Sequence, residues 1–97
     1  MTSVKANVPT VHASKYLQQL CKHFAHKLPV TFDPERGRIE FSLGVCELTA
    51  VPGVLNMRAE AADETALRQL EQVVARHLER FAFREQPEIA WIPAVAA

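Results

Sequence analysis

Residues 38–60, RIEFSLGVCELTAVPGVLNMRAE, decide the fold of this chain. Ile39, Phe41 and Leu43 alternate with Arg38, Glu40 and Ser42, and Gly44 then marks a tight hairpin. Cys46, Leu48 and Ala50 alternate with Glu47 and Thr49, Pro52-Gly53 turns the chain again, and Leu55, Met57 and Ala59 alternate with Asn56, Arg58 and Glu60. A period of two residues is the signature of a half-buried strand, and connections this short join antiparallel neighbours. The segment is therefore a meander with one apolar and one polar face.

Upstream, Val30-Thr31-Phe32 reads as a further short strand, separated from the meander by the turn Asp33-Pro34-Glu35-Arg36-Gly37. Before it, Ala13, Leu17, Leu20, Phe24 and Leu28 recur at helical spacing, which predicts a helix from Val11 to Lys27, capped by Thr10 and stopped by Pro29. Val4, Ala6 and Val8 alternate with Lys5 and Asn7 in a first strand that ends at Pro9. Downstream, Asp63 is a good cap for a second helix with the stripe Leu67, Leu70, Val74, Leu78 and Phe81, and Glu64 and Arg68 form a supporting pair. Arg76, Arg80 and Arg84 gather at its C-terminal end, where positive charge suits the helix dipole. Ile89-Ala90-Trp91-Ile92 can add an edge strand, and residues 93–97 read as a loose tail after a core of 1–92. The order β-α-β-β-β-β-α(-β) predicts a single-domain α+β two-layer sandwich, an antiparallel sheet with two helices on one face, resembling the architecture of TATA-binding-protein repeats. Architecture alone carries no function.

With 97 residues, a formal net charge of zero and 48% hydrophobic residues, the chain fits one ordinary globular domain. The charge is unevenly placed. All four lysines and three of the four histidines lie in the first 27 residues, which contain no acid, so the two halves attract each other or present faces of opposite sign. No apolar run approaches the roughly 18 residues of a membrane span, and the N-terminus lacks a signal-peptide pattern, which points to the cytoplasm. The expected outer sheet face mixes Lys5, Arg38 and Arg58 with Glu40, Glu47 and Glu60 and has no aromatic ring, so neither nucleic acid nor membrane is an expected partner.

A few residues can carry chemistry. His12, Tyr16, His23 and Lys27 fall along one flank of helix 1, with His26 farther toward solvent. They read either as a ligand-binding or acid–base stripe or as a boundary where amphipathic side chains pack their stems and keep their tips wet. Cys21 lies on the opposite flank, at least about 140° from His23 and His26, so these residues cannot share one metal ion. Two possible sub-sites remain, His23 with His26, or Cys21, Cys46 and His77. Neither has a zinc-finger spacing, and no metal or cofactor is expected. Cys21 acts as a nucleophile only if a base such as His77 sits beside it; otherwise both thiols are core, and His77 is a hydrogen-bonded core histidine. There is no glycine-rich phosphate loop and no nucleophile elbow.

The strings YLQQLCKHFAHK (residues 16–27) and HLERFAFRE (residues 77–85), with Gly37, Gly44 and Trp91, resemble the signature strings of a bacterial family, the domain of unknown function numbered 2218. The family has no established activity, so the resemblance transfers no catalytic residue. It implies a link to siderophore-interacting ferric reductases, and hence an accessory role in iron uptake with such a reductase or a small iron-related ligand as partner. On this reading the binding residues are drawn from Tyr16, Cys21, His23, His26, Lys27, His77, Arg80 and Arg84. The rival readings are a small enzyme using Cys21 or a histidine, or a metal-binding protein. Trp91, Ile92 and Val95 offer a homodimer contact.

Overall fold

The computed structural model describes residues 1–94. Eight elements follow one another: β1 (Thr2–Pro9), α1 (Ala13–Phe24), β2 (Val30–Phe32), β3 (Arg36–Glu40), β4 (Gly44–Val51), β5 (Val54–Ala61), α2 (Glu64–Phe81) and β6 (Ile92–Pro93). The strands form one antiparallel sheet in the order β2-β3-β4-β5-β1-β6. β2 and the meander thus supply four consecutive neighbours, and β1 inserts between the end of the meander and the last strand. The two-layer α+β sandwich expected from the sequence is the fold observed.

The meander's register follows its pattern. Cys46 stands opposite Ala59 and Leu48 opposite Met57, and all four are buried, while Glu47 stands opposite Arg58 on the open face. Pro52 and Gly53 join β4 to β5, and Gly53 takes φ 80°, the left-handed value that glycine adopts without a side-chain clash. On the open face Arg38 and Glu47, partners across β3 and β4, lie 3.5 Å apart.

Both helices cover the other face. Leu17, Leu20 and Cys21 of α1 and Leu70, Val74 and Leu78 of α2 are almost wholly enclosed against the buried side of the sheet. Asp63 caps α2 by accepting from the Ala66 N–H at 2.8 Å. Arg68 lies 3.5 Å from Glu71 rather than pairing with Glu64, because Glu71 sits at the buried margin of the helix and offers its carboxylate one turn on. Tyr16 meets Glu85 while His23 meets His77, so the two helices run antiparallel.

Several boundaries differ from the sequence reading, and the last strand is Ile92–Pro93 rather than Ile89–Ile92, since only Ile92 and Pro93 pair with β1. Helix α1 begins at Ala13, because Thr10 Oγ1 accepts from the His12 N–H at 3.0 Å and is turned toward Glu85, leaving no side-chain cap on the helix. It ends at Phe24, whose carbonyl accepts from both Lys27 and Leu28 and closes the helix before Pro29. Strand β3 starts earlier and stops at Glu40, since Phe41 and Gly44 already exchange the hydrogen bonds of the hairpin. Of the expected tail, Pro93 belongs to β6 and the Ala94 N–H donates to Ser3 O at 3.0 Å; Val95, Ala96 and Ala97 lie outside the described residues. Among the described residues no helix is long and apolar enough to cross a membrane.

Candidate functional site

Where α1 ends, the chain curls through 25–28 and leaves His23, Phe24, His26, Lys27 and Leu28 around one concavity, closed by Val73 of α2 and by Phe41 from the β3–β4 hairpin. Its volume is about 520 Å³, and its walls are mainly apolar. Two other concavities, of about 490 and 330 Å³, lie on the open sheet face around Glu47, but their walls are polar and carry both signs of charge. A binding cleft normally has an apolar body and a few converging polar groups, so the cleft at the end of α1 is the better candidate.

An aromatic cluster forms one side of the cleft. The Phe24 ring meets Phe41 edge-on at 4.9 Å and tilts against His77 at 4.8 Å, and His23 lies 4.9 Å from His77 and 5.8 Å from Phe81. Edge-on and tilted contacts of this kind suit the quadrupoles of the rings. His77 Nδ1 is 2.7 Å from the Val73 carbonyl. That oxygen can only accept, so Nδ1 carries a hydrogen.

His23 is held below the usual histidine range, first by lost hydration and then by the positive fields of His77, Arg80, His26 and Lys27. Every charged neighbour acting on it is basic. His26, Lys27, His77 and Arg80 thus surround His23, the last two because α2 crosses α1 on the His23 side. That crossing also corrects the grouping of His77 with the cysteines. Among the described residues, no three histidine, cysteine or acidic side chains are placed to hold a metal ion.

Cys21 and Cys46 point elsewhere. Both are free and fully enclosed, and Cys21 Sγ faces the backbone of β3 at Gly37. Burial pushes the Cys21 thiol up to about 11 and, with the fields of Cys21 and Glu47, the Cys46 thiol up to about 12. The thiolate that nucleophilic chemistry needs is strongly disfavoured in both.

Tyr16 lies outside the cleft, as a buried residue whose hydroxyl donates to Glu85 Oε2; Thr10 Oγ1 donates to Oε1 of the same carboxylate at 2.8 Å. These two bonds hold the Glu85 carboxyl below its ordinary range. Glu85 was not marked by the sequence reading, since it follows the last helical turn and no local pattern connects it to Thr10 or Tyr16. The trio fastens the chain leaving α2 to the start of α1. Arg84 lies beyond α2, exposed, with its guanidinium 5.7 Å from the Phe83 ring centre. Trp91 packs partly buried against the core, and Ile92 is exposed.

Among curated proteins none matches this chain. Among solved structures, the NMR structure of PA4090 from Pseudomonas aeruginosa is similar: it shares 43% sequence identity, with a TM-score of 0.82 over 99% of this chain and 100% of that one. The family model described as an uncharacterised protein conserved in bacteria matches residues 5–92, which take in both helices, the cleft and the whole meander. This chain accordingly belongs to that bacterial family, DUF2218.

Proposed function

We propose that the chain is a non-enzymatic accessory module that binds a small molecule in the cleft at the end of α1, acting in the cytoplasm in iron uptake. The observation that carries the binding role is the apolar, aromatic-walled concavity into which His23, His26 and Lys27 project. The iron connection is what the family resemblance of the two helical strings implies. An enzymatic role for Cys21 is opposed by its full burial and raised pKa.

Native mass spectrometry of untagged protein from iron-limited cells, with elemental analysis for iron, zinc and copper, tests this reading. The expected result is a stoichiometric added mass, a siderophore or its ferric complex, that disappears in a Phe41→Ala variant of unchanged circular dichroism. A bare chain that also fails to bind ferric chelates at micromolar concentration overturns it and turns attention to protein partners.

A further inference from the structure

We propose that the cleft takes a small aromatic monocarboxylate, its ring against Phe24 and Phe41 and its carboxylate on Lys27 and His26; this rests on the cleft being a binding site and names the class of molecule it selects. Three observations converge. The first is charge. The groups that act on His23 are His26 and Lys27 from the end of α1 and His77 and Arg80 from α2, whereas the hairpin contributes the uncharged Phe41. The C-terminus of α1 opposes them with about half a negative charge. Lys27 and Arg80 outweigh that half charge, and Lys22 already stands in the last turn to compensate it. A surplus of positive charge is left, and it calls for an anion.

The second observation is the shape and chemistry of the walls. Phe24 and Phe41, 4.9 Å apart and inclined at 72°, offer a ring both an edge and a face, and Leu28 and Val73 complete an apolar lining. A volume near 520 Å³ lies in the lower part of the range of ligand pockets. The third is the kind of cation. No guanidinium fork and no helix N-terminus lines the cleft, the two devices that favour phosphate; the donors at its rim are an ammonium and an imidazole.

One consequence sets this ligand apart from a neutral aromatic. A carboxylate on Lys27 and His26 brings into the cleft that His23 also lines the counter-charge its surroundings lack, so binding raises the proton affinity of that imidazole. A neutral isostere binds without that rise.

Benzoate and benzamide are the probes, titrated into the full chain and followed by amide and imidazole NMR. Benzoate is expected to shift His23, Lys27, Phe41 and Val73 with a Kd of about 1 mM, reasonable for so few atoms. Benzamide is expected to bind roughly fivefold to tenfold more weakly, the difference vanishing in Lys27→Met. Calorimetry in two buffers of different ionisation enthalpy should show proton uptake with benzoate that is lost in His23→Gln. Equal affinity for the two probes overturns the carboxylate inference and leaves the cleft reading standing. Shifts from a ferric chelate at these residues, with none from benzoate at about tenfold the expected Kd, do the same. Failure of benzoate, benzamide and ferric chelates alike to shift any cleft residue overturns both.

Discussion

Replacing Gly37 by alanine places a methyl carbon 2.6 Å from Cys21 Sγ, 3.4 Å from Leu17 Cδ2 and 3.5 Å from Phe32 Cβ. Apolar atoms settle at about 3.5–4.0 Å, so the sulfur has to retreat by roughly 1 Å. Cys21 and Leu17 are both fully enclosed, which leaves the sulfur no free space to enter. Overpacking of this kind costs about 1–3 kcal/mol, and the better strand propensity of alanine returns about 0.5–1 kcal/mol. The net expectation is a loss of about 1–2 kcal/mol, which lowers Tm by roughly 5–15 °C in a domain of this size. Cys21→Ala alone opens a small cavity and costs about 1–2 kcal/mol. In the double variant the new methyl group occupies the space the sulfur has left, so the two losses should fall short of their sum by at least about 1 kcal/mol. Urea unfolding followed by circular dichroism measures all three, with an unchanged slope as the sign that the folded state is preserved. A Gly37→Ala protein as stable as its parent, or a double variant whose loss equals the sum, refutes the close approach of α1 to β3.

Tyr16→Phe removes one of the two bonds to Glu85 and should cost about 1 kcal/mol, a figure discounted because Glu85 is exposed. The hydrogen bond to Glu85, burial and the Glu85 charge push the Tyr16 hydroxyl from 10.0 up to about 12, so its stabilisation is full below pH 10 and lost as pH rises toward 12. Glu85 is shifted downward, so its contribution is present above the unfolded carboxyl range of about 4.3 and lost as pH falls through the folded value. The stability gap between parent and Tyr16→Phe, measured by urea unfolding across pH, should therefore be flat near neutrality and narrow on both sides; a constant gap contradicts the assignment. Gln86 holds φ 48°, so Gln86→Gly should raise Tm by a few degrees, equivalent to about 0.5 kcal/mol, and a fall in Tm counts against it. Cys21 and Cys46 should react with an aromatic disulfide reagent only as fast as the chain unfolds in urea, and rapid labelling of folded protein excludes their burial.

What could be read from the sequence and what could not divides along the range of the interactions. Asp63 and its α2 stripe, Pro52-Gly53, and the alternation through Cys46, Leu48, Leu55, Met57 and Ala59 are local signals, and each stands where the sequence puts it. Thr10 has the chemistry of a cap, but a carboxylate from beyond α2 takes its hydroxyl. The flank of α1 was recognised from helical spacing, yet spacing within one helix is silent about which element crosses it. It therefore grouped Tyr16 with His23, although Tyr16 turns to Glu85 and His23 to His77. The alternation places Phe41 in a strand; the hairpin that ends β3 early leaves it packed at the margin of the core, where it also forms a wall of the cleft.

The two outermost strands bear on how copies of this protein behave when crowded. At one border β2 offers only three residues, and at the other β6 offers two, one of them Pro93, which has no N–H to extend a ladder. Beyond the two residues that β6 covers, β1 ends in Pro9, again without a donor. A strand arriving from outside finds short, interrupted rows of hydrogen-bonding groups at both borders. The chain can thus be present at high concentration, or joined end to end with a larger protein, without its sheet seeding fibrous growth.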